Sequence, residues 1–151
     1  MTATASTAAP VADPRVLALA HYAARGVLER VLARHGITFQ QQIALRAAVT
    51  ADTPPTPDDL VVQVRSSLKA DPADIRTTLD ELLAKHLLVA DGAHLRPTDA
   101  GRELISVAAA EAAPFTARIW AGMDPEDLAA AGRVLTLVAE RANAELAALS
   151  I

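Results

Sequence analysis

Apolar residues recur at three- and four-residue steps in several stretches of the chain, which is the spacing of one buried face of an α-helix. The first stretch runs from Pro14 to His35 and is followed by a glycine. A capping side chain stands directly before each of the next helical stretches: Thr38, Thr56 and Asp71. The pattern therefore predicts four consecutive helices, of which the third ends at about Leu68.

The third and fourth predicted helices are separated only by the segment from Lys69 to Asp71. Such a short turn is typical of a helix-turn-helix unit, although helical hairpins with no DNA role share it. The string LLVADGAHLRPT follows, and its Asp-Gly pair is a favoured hairpin turn. We therefore expect one short β-hairpin in an otherwise helical chain.

Two long helices are predicted after the hairpin. Thr98 caps the first, and Pro114 is expected to kink it. Asp124 opens the second, in which apolar residues from Leu128 to Leu149 keep close to a heptad step. This is more apolar surface than one small core requires, so we expect the terminal helices to pack against a partner chain.

The composition favours a mainly α protein, because 52% of the residues are hydrophobic but only 3% are aromatic. The absence of cysteine excludes disulfides, zinc–thiolate sites and a thiol nucleophile. The histidines lack metal-site spacing, and the common catalytic motifs are missing, so we expect no metal, no cofactor and no enzyme activity. No uncharged run of about 18 apolar residues occurs, so we expect a cytoplasmic protein without a membrane partner.

Four strings, in this order, resemble the MarR family of bacterial transcription factors, over about residues 15 to 149. GITFQQQIAL resembles the opening of the family's second helix, and LDELLAKHLLV the end of its recognition helix with the following strand. PTDAGREL resembles the threonine and glycine signature of the fifth helix, and MDPEDLAAAGRVL the start of the sixth. The resemblance implies a mainly α fold: a winged helix-turn-helix lobe with a short β-hairpin wing, plus N- and C-terminal dimerisation helices.

The resemblance also implies a division of the chain. Residues 14–151 would form a single MarR-like domain, with the winged helix-turn-helix lobe at 36–101 and dimerisation helices at 14–35 and 102–151. Residues 1–13 are small and polar and lack the pattern of a secretory signal, so we expect a flexible tail.

The function implied by the resemblance is that of a ligand-responsive repressor that binds pseudo-palindromic promoter DNA as a homodimer. Two recognition helices would enter successive major grooves, spaced by one turn of about 34–36 Å. Many family members also bind a small phenolic or other organic anion, which changes their affinity for DNA. The expected partners are therefore double-stranded DNA, a second copy of the chain and such an effector.

The candidate DNA-facing side chains are cations and hydroxyls, which bind guanine edges or phosphate oxygens: Arg65, Ser66, Lys69, Arg76, Thr77, Thr78 and Arg96. A solvated helix face is the alternative for each of them. Arg76 is expected to point away from the buried stripe of its helix, and an ion pair with Asp80 is its alternative role.

The candidate effector site contains Tyr22, Arg25 and Trp120, since aromatic walls with one cation suit an aromatic carboxylate. Core packing is the alternative, and it is the preferred role for Phe39 and Phe115. At the end of the recognition helix, where the family has glycine, a histidine at 86 predicts a left-handed cap.

Charge favours a competing hypothesis. The chain carries a net charge of −4, and the interval Thr53 to Gly101 alone has five basic and eight acidic side chains. The wing tip lacks the arginine that family members insert into the minor groove, and Arg96 is the nearest substitute. Because phosphate neutralisation supplies most non-specific affinity, we expect weak or salt-sensitive DNA binding. The alternative is a MarR-like dimer that has lost DNA binding and serves as a small-molecule or protein-binding module.

Overall fold

The structure, a computed structural model, describes residues 9–150. Within this range the chain forms six helices and one two-stranded antiparallel hairpin. The elements in chain order are α1 (Pro14–Ala33), α2 (Phe39–Thr50), α3 (Pro57–Leu68), α4 (Pro72–Ala84), β1 (Leu88–Asp91), β2 (His94–Pro97), α5 (Asp99–Trp120) and α6 (Pro125–Leu149). The predicted mainly α fold with one short hairpin is confirmed. Most of the predicted tail, residues 1–8, lies outside the described range.

Helix starts are fixed by short-range hydrogen bonds to capping side chains. In α2 the Thr38 hydroxyl accepts from the Gln41 N–H at 3.1 Å, and the Gln41 side chain accepts from the Thr38 N–H. In α3 the Thr56 hydroxyl accepts from the Asp59 N–H at 3.2 Å, and Asp59 accepts in return from the Thr56 N–H. Hydrogen bonding to the Thr56 side chain and backbone lowers the pKa of the Asp59 carboxyl, because it stabilises the carboxylate. The predicted starts at both threonines are confirmed.

The structure divides into two units, and the first, which ends at Phe115, holds the hydrophobic core. Helices α2, α3 and α4 pack on one another, with β2 against α2. The fully buried leucines of this core come from five different elements: Leu32, Leu45, Leu60, Leu82 and Leu88. Burial of a leucine side chain contributes about 1.5–3 kcal/mol, so these contacts hold the lobe together.

Both strands of the hairpin pack on the helices, β1 against α4 and β2 against α2. Leu88 pairs with Pro97 and Asp91 with His94, so the turn falls at the predicted Asp-Gly pair. The Leu95 N–H donates to the Pro55 carbonyl at 2.8 Å, which links β2 to the segment before α3. We call β1, β2 and their turn the wing.

Four local features of the helices bear on the predictions. His86 has a φ of 57°, which confirms the left-handed cap, and Lys69 has a φ of 55°, which the sequence does not predict. Helix α1 ends at Ala33 rather than near His35. The N–H groups of residues 34–36 each donate to the carbonyl three residues earlier, which forms a tight turn in place of another helical turn. Pro114 lies inside a continuous α5.

The second unit, from Thr116 onward, contains the end of α5 and the whole of α6. No residue of α6 is buried within one protomer. Six of its large apolar side chains are exposed by two fifths or more: Val134, Leu135, Leu137, Val138, Leu146 and Leu149. None of the described helices is both long and apolar enough to span a bilayer.

Candidate nucleic-acid interface

The turn between α3 and α4 places two helix ends side by side. Lys69 caps the C-terminus of α3 in the left-handed conformation, and the Asp71 side chain accepts from the Ala73 N–H at 2.8 Å to open α4. The inner face of α4 is then buried through Ile75, Leu79 and Leu82. Its outer face, including Arg76 and Thr77, is exposed.

Arg76 forms an ion pair across two helices. Its Nη2 atom donates to Asp58 Oδ1 in the first turn of α3 at 2.6 Å, and the two side chains are 53% and 78% exposed. The side chain therefore points away from the buried stripe, as predicted. The alternative partner, Asp80, is wrong: the packing of α4 on α3 brings Asp58 within reach instead.

The two threonines of the candidate set differ in position. Both hydroxyls donate to backbone carbonyls one turn earlier, Thr77 to Ala73 at 3.1 Å and Thr78 to Asp74 at 3.0 Å. Thr77 is exposed on the outer face, whereas Thr78 is half-buried. Thr78 lines a crevice of about 20 Å³ between α2, α3 and α4, which is too small for an organic ligand.

The remaining residues of the set on α3 lie near its C-terminus. Arg65 and Ser66 are exposed, and the Ser66 hydroxyl donates to the Gln63 carbonyl at 2.6 Å. The Lys69 ammonium donates to the Ser66 carbonyl oxygen. Because this acceptor is neutral, the bond does not balance the positive charge of the lysine, and the helix dipole also favours a cation at the end of α3.

Arg96 lies on the wing, opposite Val89 in the strand register. Its Nε atom is 3.7 Å from Asp91 Oδ2, and the two side chains are 52% and 65% exposed. The structure thus brings Arg65, Ser66, Lys69 and Arg76 to the two helices that flank the turn, and it places Arg96 on the separate hairpin.

A buried polar contact beneath α4 was not among the candidate residues. Gln41 is only 4% exposed, and its Nε2 atom donates to Glu81 Oε2 of α4 at 2.6 Å. The Lys85 ammonium donates to the Gly36 carbonyl. The first bond holds α4 on α2, and the second holds the end of α4 on the turn between α1 and α2. The only sequence signal for them is the GITFQQQIAL string.

The end of α4 is also fastened to the start of α5. The Thr98 hydroxyl donates to the His86 carbonyl at 2.7 Å and accepts from the Gly101 N–H at 3.0 Å. A Cβ at Gly101 would lie 2.3 Å from the Leu87 carbonyl oxygen. Only glycine allows this approach, which explains on steric grounds why the PTDAGREL string has a glycine at this position.

The candidate effector residues lie on two helices. Arg25 of α1 is bound to Glu29 at 2.9 Å, and its guanidinium lies 4.3 Å from the centroid of the Phe39 ring. Tyr22, on the same helix, is 68% exposed, and Trp120, the last residue of α5, is 55% exposed. Phe39 packs against the core, as preferred from the sequence.

Histidines do not gather into a metal site in the described part of the chain, where no group of three or more His, Asp or Glu could hold an ion. His35 Nε2 lies 3.2 Å from Glu111 Oε2, which joins the turn after α1 to α5. Both atoms are buried, and neither forms a hydrogen bond of good geometry within the described residues.

No protein-family model matches the chain, and no curated protein matches its sequence. Solved structures do share the fold. The transcriptional regulator PA3341 has a TM-score of 0.67 at 25% identity, covering 87% of this chain and 96% of that one. CouR from Rhodococcus jostii RHA1, bound to p-coumaroyl-CoA, has a TM-score of 0.67 at 20% identity, covering 82% and 88%.

A MarR family protein of Mycobacterium tuberculosis, Rv2887, was solved in complex with DNA and has a TM-score of 0.63 at 19% identity. The match covers 85% of this chain and 98% of that one. The resemblance to the MarR family predicted from the sequence is therefore confirmed in the fold.

Proposed function

We propose that this chain, which has the winged helix-turn-helix fold of MarR family regulators, is a transcriptional regulator that binds pseudo-palindromic promoter DNA as a homodimer. The observation that carries the proposal is the outer face of α4, where Arg76 and Thr77 are exposed while the opposite face is buried. A helix held in this way presents side chains at a fixed angle to a major groove. The DNA complex of a structurally similar protein supports the same use of the fold.

The side chains divide into two roles in this proposal. Arg76 contacts a base edge, since arginine donates to both O6 and N7 of guanine. Arg65 and Lys69, at the end of α3, contact phosphates, which fixes the register of the protein without reading sequence. Arg96 on the wing is the cation available for the neighbouring minor groove. Regulation then follows from occupancy of promoter DNA in the cytoplasm, without catalysis.

The exposed apolar side chains support a homodimer. In α1, Val16, Leu17 and Leu19 are 40–57% exposed, and α6 has no buried residue in a single protomer. Apolar surface that a helix leaves exposed in this way marks a protein interface. A second copy would cover these faces and set the two copies of α4 at the spacing of a palindrome.

Selection of bound DNA from a random duplex pool tests the function. We expect a pseudo-palindrome whose half-sites are about one helical turn apart, and steep salt dependence of binding. Light scattering should give twice the 15.8 kDa chain mass at micromolar concentration. Recovery of no sequence, with no salt-dependent binding by an intact dimer, would favour the alternative of a small-molecule or protein-binding module. A monomer with full helicity by circular dichroism would contradict the dimer.

We further propose that an aromatic carboxylate is the effector. The complex of a structurally similar regulator with p-coumaroyl-CoA supports an aromatic, anionic effector. Arg25 supports this proposal because its guanidinium is half-buried against Phe39, where a carboxylate ligand could replace Glu29 as its partner. Tyr22, on the same helix, would supply aromatic surface.

Arg25→Ala is expected to weaken the binding of an aromatic acid by about tenfold or more, because a charge-assisted contact is lost. The dimer should persist in this variant. Calorimetry with a panel of aromatic carboxylic acids gives the affinities. Arg30→Ala removes the same charge from an exposed position of α1 and is the matched control. Unchanged affinity in Arg25→Ala, for an acid that binds the parent, would remove Arg25 from the site.

A further inference from the structure

The main cation of the α4 outer face already has an anionic partner. Asp58 is the second residue of α3, and its carboxylate receives one hydrogen bond from Arg76 Nη2 at 2.6 Å. We propose that Asp58 is a specificity-determining residue that positions Arg76 for a guanine edge and suppresses its binding to phosphates. This inference rests on the proposed function and extends it to the discrimination between DNA sequences.

The geometry of the pair leaves donors free for a base. A guanidinium carries several N–H donors in a planar fork, and Asp58 uses only one nitrogen atom. The other edge of the fork can still donate to O6 and N7 of guanine. Contact with a base edge therefore keeps the ion pair, and the carboxylate restricts the rotamers that Arg76 can adopt.

Contact with a phosphate has a different consequence. The carboxylate balances the charge of Arg76, so the pair as a whole has little attraction for the sugar–phosphate backbone. A phosphate oxygen that takes the N–H bonded to Asp58 must displace the carboxylate. Lys69 differs from Arg76 in this respect. Its ammonium is bound to a neutral carbonyl, so no charge in that bond reduces its attraction for a phosphate.

Both partners are more than half exposed, which suits a site that must exchange contacts with DNA. The position of Asp58 in the first turn of α3 also stabilises its negative charge through the helix dipole. Asp58 thus lowers affinity for random sequence and leaves affinity for a site with the correct guanine nearly unchanged. The result is a larger ratio between specific and non-specific binding.

Asp58→Asn tests this role in the full-length dimer, with a random-sequence duplex as the probe. We expect binding about two- to fivefold tighter than that of the control Asp80→Asn, which removes the same charge from α4. Within the described residues Asp80 has no ion-pair partner. The slope of log affinity against log salt should steepen by about 0.9 per protomer in Asp58→Asn alone, because the released arginine contacts a phosphate.

Two further variants separate release of Arg76 from general charge effects. In Asp58→Asn combined with Arg76→Ala, the salt slope should return to that of Arg76→Ala alone. In Asp58→Asn, discrimination at the base pair that Arg76 contacts should fall about two- to fivefold, because the side chain has lost its positioning partner. Thermal melts establish that the variants are folded.

The outcomes distinguish this inference from the function on which it rests. If the parent binds duplex DNA with a salt slope, but Asp58→Asn and Asp80→Asn share one slope and one specificity, Asp58 has no such role. A steeper slope that persists without Arg76 also overturns the inference. If neither the parent nor Asp58→Asn binds any duplex at low salt, the proposed function itself fails.

Discussion

Arg76→Ala is expected to weaken binding to the selected DNA site by roughly 1–3 kcal/mol per half-site and to relax base preference at one position of each half-site. The reason is that the arginine is exposed on the outer face of α4, whereas the inner face is fixed by buried leucines and isoleucine. Fluorescence anisotropy with the selected duplex and its single-base variants measures both quantities. Alanine at an exposed helix position should leave the fold intact.

Lys69→Gly provides the comparison, because it removes a phosphate-binding charge and not a base contact. Glycine is preferred to alanine here, since Lys69 has a φ of 55° and glycine adopts that conformation without strain. This variant should weaken all sequences to the same extent and lower the salt slope by about one. Parental affinity and base preference in Arg76→Ala would show that α4 does not read DNA through this residue.

Gly101→Ala is expected to lower the free energy of unfolding by about 1–3 kcal/mol. The added methyl group would lie 2.3 Å from the Leu87 carbonyl oxygen and 3.2 Å from Leu45 Cδ1. The carbonyl is backbone and also accepts from the Thr98 N–H at 3.1 Å, so relief requires movement of the α5 start. Urea denaturation at a fixed protomer concentration measures the change, since a dimer's stability depends on concentration.

Gly26→Ala is the matched control for this substitution. A Cβ at Gly26 would meet no neighbouring atom within 4 Å, and alanine favours helix over glycine by about 0.5–1 kcal/mol. This variant should be as stable as the parent or more stable. Equal stability of Gly101→Ala and the parent would mean that α5 docks on the lobe without the close approach.

Features that depend on neighbouring residues in the chain could be predicted from the sequence. Thr38, Thr56 and Asp71 each cap a helix, because a capping side chain bonds to an N–H only two or three residues ahead. The left-handed cap at His86 was also predictable, because the resemblance placed a glycine position there. Such short-range bonds need no knowledge of the tertiary fold.

Features that depend on packing could not be predicted in the same way. Asp80 is four residues from Arg76 and was the obvious partner, yet the crossing of α3 and α4 brings Asp58 to 2.6 Å. The apolar spacing gives no sign that the Gln41 side chain is buried against Glu81, although Gln41 lies in a string that resembles the family. In each case the angle between the packed helices determines which side chain becomes the hydrogen-bond partner, and the apolar spacing does not specify that angle.

The candidate DNA interface could likewise be predicted only where it depends on neighbouring residues in the chain. The exposed face of α4 could be derived from its buried stripe, and Arg76 and Thr77 lie on it. Thr78 is half-buried because it faces the crevice shared with α2 and α3. The roles of the DNA-facing residues, and of Tyr22, Arg25 and Trp120, stay predictions until binding is measured.

The wing begins and ends at one point of the helical lobe. The Thr98 N–H donates to the Leu87 carbonyl at 3.1 Å, so the residues that enter and leave the hairpin are bonded to each other. A segment closed at its base in this way is a module, because insertions at its tip do not shift the elements that it joins. The hairpin can therefore be lengthened, or exchanged for one with an arginine at its tip, while α4 and α5 keep their positions.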